Sequence, residues 1–559
     1  MSRFETIHTP VLIVGGSTGG VAAALACARN GVRCVVIEET SWIGGQLTTQ
    51  GVPPDENAWI EGNGPNAPSD FKGCTQSYTE MRERVRAWYR EHRPLKAEKI
   101  ADPFLNPGGG WVSRLCAEPR VIEFVLRSMI STNAVRGRII LKTNHVMLRA
   151  DSDGDRTGRV LFQNKANGDL LEVVADLVLD ATDLGDVIDA TQTESCIGAE
   201  AADVFGELHG RTDLPKGQRF DERDQQAFSW CFAIEHRACE SHIIERPSNY
   251  GTWCKHVPEM SPAWTGPLFS WTVPSHDAEY GRTIPMVPWP DEPRSDEWEL
   301  WRYRRIVDHN AYLESARNKF PDVTLVNWVQ MDFWQDILLG KSTQDRVDVY
   351  EAARDQSRCL LYWMQTEAPR HDGGTGYPGL RLRGDELGSE DGFALGAYIR
   401  EPRRLLAQTM LTEAHVGTAQ RKHENAPNQS ATQWGSGEAF KDSIAIGHYP
   451  IDLHPSAANR NNVYVPAAPF RVPLSALVPV RMRNIIAAGK AMGVSHVANG
   501  CTRLHPVEWG VGEAAGLLAA WCINNNTEPH AMCSDIEETT DFQQHAVAQG
   551  MPVAWPWDE

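Results

Sequence analysis

Residues 11–20 read Val11-Leu12-Ile13-Val14-Gly15-Gly16-Ser17-Thr18-Gly19-Gly20, and they decide the fold. An apolar, β-prone run enters a glycine turn. The turn opens into Val21-Ala22-Ala23-Ala24-Leu25-Ala26, a small-residue segment that reads as a helix. A second apolar run, Cys34-Val35-Val36-Ile37, ends on Glu38. Strand, glycine turn, helix and acid-terminated strand are the layout that holds the ADP half of a dinucleotide. Gly15 would turn the chain out of the strand, position 17 would admit a pyrophosphate to the backbone, and Gly20 would let the helix lie on the sheet. Unpaired N–H groups at the helix start, over Gly16, Thr18 and Gly19, suit the diphosphate charge. Position 17 is Ser17, so the strict G-x-G-x-x-G pattern is broken, but serine is small and its hydroxyl can donate to phosphate. Glu38 is placed to accept from ribose hydroxyls, and its charge opposes an extra 2′-phosphate.

Working outward, the same signature returns twice. Val173–Asp180 is an apolar strand that runs into Ala181-Thr182 and then Gly185. Near the far end, Asn484–Gly489 is a buried-looking strand ending in glycine, and Gly510–Gly516 starts a small-residue helix. Close backbone approach at three places implies something large between them. The simplest arrangement is a first domain built from both chain ends with the middle inserted.

The whole chain bounds the reading. At 559 residues it is too long for one core. A formal net charge of −19 argues against nucleic acid or an anionic membrane as the main partner. No run of eighteen apolar residues is present, so no spanning helix is expected. The twelve cysteines are scattered without a CxxC or Cys/His cluster, and no signal peptide precedes the first strand, so a cytoplasmic protein is expected. Helices are expected over Tyr78–Glu91 and Glu118–Met129, with two or three strands between about 138 and 180 and a plain turn at Asp151–Asp155. The texture changes from about 205 to 465, where tryptophan, proline and charge are frequent. There, Asp296–Ser315 and Gly392–His415 read as helices, Thr265–Pro293 as strands and turns, and His423–Gly437 as a polar loop.

Taken together, these segments resemble the FAD-dependent oxidoreductase family of the glutathione-reductase-like flavoprotein fold, in a branch distantly similar to the flavin-binding component of heterodisulfide reductase. The matching pieces are Val14–Gly20, Glu38 with Trp42-Ile43-Gly44-Gly45-Gln46-Leu47-Thr48, Asp180–Thr182 with Gly185-Asp186, Tyr398–Arg404, His448–Asp452, and Gly489–Gly516. The resemblance implies FAD as cofactor. It places Gly44, Gly45 and Gln46 near the cofactor and closes the C-terminal glycine segment, from Gly489 to Gly512, over the flavin. The expected fold is α/β, with a Rossmann-like FAD-binding domain over 1–204 and 466–530. An α+β substrate-side domain covers 205–465 and a tail covers 531–559.

The expected reaction removes hydride and a proton from a carbon bearing oxygen or nitrogen, with FAD as acceptor. Electrons then pass to O2 or a separate electron acceptor. His496, His505 and Glu508 fall between Gly489 and the last glycine helix, so they are expected near the ring. His505 is read as base, or as a structural or cofactor-contacting histidine, and Arg503 as holding an anionic substrate group or tuning the flavin. The helix from Gly512 is expected to point its N-terminus at the flavin pyrimidine oxygen. His448-Tyr449-Pro450-Ile451-Asp452-Leu453-His454 is a second candidate, for substrate contact, for domain-interface bonding, or for a His448–Asp452–His454 metal triad that lacks a fourth ligand. No metal is expected. Arg400-Glu401-Pro402-Arg403-Arg404 reads as a solvated face or an inter-domain salt-bridge network, or as a contact to an acidic substrate. Trp301-Arg302-Tyr303-Arg304-Arg305 mixes base and aromatic, but one short run in an acidic chain is a poor nucleic-acid surface. Of nineteen tryptophans, Trp42, Trp230, Trp264, Trp271 and Trp509 are candidates for stacking on a ring.

The leading function is thus an FAD-dependent dehydrogenase or oxidase acting on a small-molecule substrate. The alternatives are a flavin-dependent monooxygenase using NAD(P)H and O2, and a non-catalytic FAD-binding protein. A homo-oligomer is left open.

Overall fold

The computed structural model describes residues 3–275, 278–288, 299–424 and 435–558. Strand β1 (Phe4–Val14) pairs in parallel with β2 (Cys34–Ile37), and β2 pairs with β3 (Ile139–Lys142). On its other side β1 pairs in parallel with β6 (Leu170–Asp180). β6 continues antiparallel to β5 (Arg156–Asn164), and β5 to β4 (His145–Asp153). The strand order is β3-β2-β1-β6-β5-β4, so four strands stand where two or three were expected. The turn at Gly154 is the hairpin between β4 and β5.

Alternate residues of β1 explain the layering. Val11 and Ile13 face one core with Val21, Ala22 and Ala26 of α1 (Thr18–Arg29). Leu12 and Val14 face a second core with Val160, Phe162 and Val173. A central parallel strand covered on both faces needs this continuous apolar run. The two expected helices appear as α2 (Gln76–His92), capped by Thr75, and α3 (Pro119–Val135), entered through a proline.

The middle of the chain builds a separate antiparallel sheet. Its strands are β7 (Phe232–His236), β8 (Arg305–Val307), β9 (Val323–Val326) and β10 (Leu380–Leu382), in the order β8-β9-β7-β10. The long helix α4 (Thr343–Thr366) packs beside it over a core rich in tryptophan, including Trp230, Trp264, Trp271 and Trp363. Two expected helices are corrected. Only Leu300–Tyr303 of 296–315 is α-helical, and the chain then enters β8; residues 296–298 lie outside the described residues. Gly392–His415 is mostly extended. Tyr398 bonds to Ser229, Arg403 to Leu184 and Leu405 to Ala491, so tertiary backbone bonds replace the helical ladder. The described part of 265–293 holds the hairpin Thr272–Ser275 with Ala278–Thr283. Most of the 423–437 loop lies outside the described residues.

The far end of the chain returns to the first sheet. Strand β11 (Ile485–Ala487) pairs in parallel with Val178–Asp180 of β6. Helices α5 (His496–Thr502) and α6 (His505–Asn525) follow, and α6 lies against α1. The crossing is close because Gly512 and Gly516 face Gly19 and Ala23; a Cβ at Gly512 would sit 2.1 Å from the Gly19 carbonyl oxygen. The terminal segment is more than a tail. Helix α7 (Ile536–Ala548) docks on the body, and Trp555 is buried against Trp59 with ring centroids 4.9 Å apart. Among the described residues no helix is long and apolar enough to cross a membrane.

Candidate active site

The glycine turn sits at the C-terminal edge of the parallel strands. Gly15 has φ 101° and donates its N–H to the Ile37 carbonyl at 2.8 Å. A side chain there would meet the Ala181 carbonyl at 2.2 Å, so only glycine serves. Ser17 caps α1: its Oγ accepts from the Gly20 N–H at 3.2 Å. The expected phosphate contact is therefore limited to the hydroxyl proton. The second glycine loop docks onto the first. The Gly44 N–H donates to the Gly16 carbonyl at 2.7 Å, Thr18 Oγ1 donates to the Gly44 carbonyl at 2.8 Å, and Gly45 lies against Ser17.

Glu38 lies under the turn. One oxygen accepts from the Gly16 N–H at 2.8 Å, and the other from the Thr40 N–H and hydroxyl at 2.8 and 2.7 Å. Burial pushes its pKa up to about 7 against those bonds. Ala181 backs onto Gly15. Thr182 Oγ1 donates to Asp180 at 2.7 Å and accepts from the Asp186 N–H at 2.8 Å. The close approaches inferred from small residues are thus met, at Ala181, Gly19 and Gly512, by other segments of the chain itself. Gly512 lies one full turn and more inside α6, which starts at His505. The expected helix N-terminus at Gly512 is corrected on that ground.

Glu508 differs from expectation as well. Its carboxylate lies at the first turn of α1, where the Gly19 N–H stabilises it, and the Gln46 side-chain amide donates to it in a short bond. Burial raises its pKa and nearby Lys490 opposes that. It thus stands between the start of α1 and the second glycine loop. Lys490, which sequence reasoning missed, is buried; its Nζ reaches Asp183 at 2.6 Å and the Ile399 carbonyl at 2.8 Å. Gln50 holds the other oxygen of Asp183 at 2.6 Å. Gly489 is loosely placed beside Glu508.

Gln46 also donates to the Arg503 carbonyl at 3.0 Å, and this bond leads from the glycine loops into a buried polar cluster. His505 is fully buried at the first position of α6. Its Nδ1 accepts the Asp55 backbone N–H at 3.1 Å, so the neutral ring carries its proton on Nε2, which makes no hydrogen bond. Burial, Arg304, Lys490 and Arg503 hold its pKa well below the usual range. In that tautomer the ring presents an N–H donor at Nε2. Arg503 reaches the Tyr398 hydroxyl at 3.3 Å and the Asp452 carbonyl at 3.1 Å, and its Nε is unpaired. The Asp55 carboxylate accepts no hydrogen bond among the described residues, and its closest cation is Arg304 at 3.7 Å. Burial raises the Asp55 pKa, while Arg304 and Arg503 pull it down.

His454 and Asp452 join this cluster. His454 Nδ1 pairs with Asp332 at 2.6 Å and Nε2 lies 3.5 Å from Asp452. Burial acts to raise the Asp452 pKa, but His454 and Arg503 hold it well below the ordinary range. His448 does not meet them. It packs edge-on to Trp59 at 5.1 Å, and burial drives its pKa to about 4. The proposed triad is therefore not formed. His496 is buried against Glu401 at 2.8 Å. Arg400 bonds Asp332 and Ser229, each at 3.0 Å, and Arg404 is buried with Glu200 and Glu401, so the segment is an internal ion network and not a solvated face. Trp230, Trp264, Trp271 and Trp509 are core residues, and Trp42 packs on Gly388. Asp55 and Arg304 were missed as site residues. Asp55 sits in a Gly/Pro-rich loop after the second glycine pair, and Arg304 in a run weighed only as a nucleic-acid surface.

The donor set fits FAD. The turn offers the start of α1 and the Ser17 hydroxyl proton, and buried atoms beyond Gln46 remain without partners. Two carboxylates oppose a diphosphate there: Glu38 takes the expected Gly16 N–H and Glu508 the Gly19 N–H. The family described as FAD dependent oxidoreductase matches residues 10–545. The alpha chain of sarcosine oxidase from Corynebacterium sp. (strain P-1) is 25% identical over 209 residues, 35% of this chain. The chain spans about a fifth of the length of that curated relative, 21%. Among solved structures, the flavin-dependent monooxygenase PieE in complex with FAD and substrate shares 13% identity, with 63% of this chain and 48% of that one covered at a TM-score of 0.25. L-proline dehydrogenase from P. horikoshii shares 16%, over 36% and 26%, at 0.17. A match across nearly the full length, on a groove with these donors, leaves one conclusion: the chain belongs to the FAD dependent oxidoreductase family, an enzyme with FAD as its cofactor.

Proposed function

We propose that this enzyme is a dehydrogenase or oxidase that oxidises a C–O or C–N carbon of a small organic substrate. The reading extends to a glutathione-reductase-type arrangement, with residues 1–204 and 466–530 around the cofactor and 205–465 on the substrate side. When bound, FAD supplies a two-electron acceptor at N5.

The observation that carries the reading is Asp55. It is a buried carboxylate with both oxygens free of hydrogen bonds, at the wall where the glycine loops meet the inserted segment. Burial moves its pKa towards neutrality, as a general base requires. Asp55 takes the proton of the substrate O–H or N–H as the C–H bond gives up its electron pair. The product is a C=O or C=N compound, and O2 or a separate electron acceptor regenerates the enzyme. His505 Nε2–H donates to the substrate heteroatom or its neighbour. Arg503 holds Tyr398 and the Asp452 carbonyl in place. Buried Lys490 supplies a fixed positive charge between the two regions.

Anaerobic mixing of the FAD-loaded enzyme with candidate alcohols and amines tests this. Flavin bleaching by substrate alone is the expected result. Bleaching only by NAD(P)H would transfer the protein to the monooxygenases.

A further inference from the structure

We infer that Arg304 is the anchor for an anionic group of the substrate, and that the substrate is a carboxylate whose oxidisable C–OH or C–NH lies next to it, a 2-hydroxy or 2-amino acid. The inference rests on the proposed role of Asp55 and names the substrate class of that same cluster.

Two adjacent arginines make the argument. Arg305 is saturated: it donates to the Gly108 carbonyl at 2.8 Å and pairs with Asp322 at 3.0 Å and Asp308 at 3.1 Å. Arg304 is as deeply placed, 8% exposed, yet nearly unbonded. Its Nε has no partner, its one hydrogen bond is a long 3.5 Å contact to the Pro53 carbonyl, and Asp55 stands at 3.7 Å. A guanidinium carries five donors in a planar fork that matches a carboxylate. Buried charges are otherwise paired and hydrogen-bonded, as Arg305 is. Arg304 also comes from the inserted segment and reaches across to the loop that carries Asp55. The Tyr303 ring lies 5.0 Å from its guanidinium.

The spacing narrows the class. The Arg304 nitrogen and the Asp55 oxygen are 3.7 Å apart, so one small ligand can meet both, and an anion and a proton-bearing heteroatom on neighbouring carbons have a span that suits them.

The test uses the FAD-loaded full chain. Acetate and propanoate, which cannot be oxidised, are titrated against the flavin absorbance. 2-Hydroxypropanoate and alanine are compared with their uncharged amides as anaerobic reductants. Expected are a saturable spectral shift with the carboxylates, reduction by an acid and not by its amide, and about 100-fold weaker carboxylate binding in Arg304→Gln at unchanged FAD occupancy. Arg304→Lys, which keeps charge without the fork, should fall between and replaces the Gln variant if that one does not load FAD. Amides acting as well as acids, no response to any carboxylate, or wild-type binding in both variants would overturn the assignment. If uncharged alcohols or amines alone bleach the flavin, the oxidation reading survives and the anchor does not. If carboxylates bind through Arg304 without any bleaching, the reverse holds.

Discussion

The Asp55 backbone N–H donates to His505 Nδ1 at 3.1 Å, and that bond fixes which ring nitrogen bears the proton. It also ties the loop after the second glycine pair to the first residue of α6. A hydrogen-bond donor and a free carboxylate are thereby set side by side on one loop–helix junction.

His505→Gln should therefore keep much of the activity, because a glutamine amide offers an N–H near the Nε2 position. A loss of about tenfold in kcat/KM is expected, with no change in the shape of the pH profile. Disappearance of the acidic limb in this variant would make the ring the base.

Asp55→Asn should lower kcat by about 10²–10⁴-fold with FAD still bound. In the wild type the rate rises with pH as Asp55 loses its proton, at a pKa above that of an ordinary aspartate. The variant should lack that limb. Steady-state kinetics from pH 4.5 to 8 decides it.

Glu508→Gln should bind FAD roughly tenfold more tightly, because it removes a negative charge from the start of α1, where the proposed diphosphate site lies. Quenching of FAD fluorescence on titration into stripped protein measures it. Weaker binding would mean that Glu508 helps to hold the cofactor.

Gly512→Ala should destabilise the protein by about 2 kcal/mol, since the added methyl would sit 2.1 Å from the Gly19 carbonyl oxygen. Gly251→Ala, where nothing lies within 4 Å, is the control. Thermal melting should separate them, and the flavin potential of the Gly512 variant should change little once the protein is loaded.

Melting should also depend on pH with a definite sign. Glu38 and Glu207 are pushed up to about 7 and Asp180 to about 6, mainly by burial. Folded pKa values above the unfolded ones favour the protonated fold, so this stability is full below about pH 4 and lost as pH rises through 6–7. The melting temperature should fall between pH 5.5 and 8.5. Glu207→Gln should flatten part of the slope, because its amide oxygen still accepts from the Glu413 N–H and Ser495.

The glycine turn, the acid after β2 and the return of the far end to β6 were legible because each rests on local chemistry: a positive φ at Gly15, a capped helix, an apolar strand. The site residues were less so. His505, Arg503 and Glu508 lie at or beside the start of α6, as their sequence position dictates, but tautomer and direction depend on partners hundreds of residues away. Asp55 bonding to His505 and Gln46 bonding to Glu508 leave no trace in either local pattern. Arg304 illustrates the point: its run mixes base and aromatic, and only the packing of β8 against β9 turns it inward. The helix expected over 392–415 failed because backbone bonds to Ser229, Leu184 and Ala491 outweigh local propensity.

The pairing of Ile485–Ala487 with Val178–Asp180 bears on how the protein is made. That end of β6 leaves the ribosome early, while its partner is translated roughly three hundred residues later. At about 5–20 residues per second, the interval is some 15–60 seconds. For that time a flat apolar edge stands without its neighbour, open to other nascent chains. Slow translation or scarce chaperones should therefore reduce yield before any defect in the finished enzyme is visible.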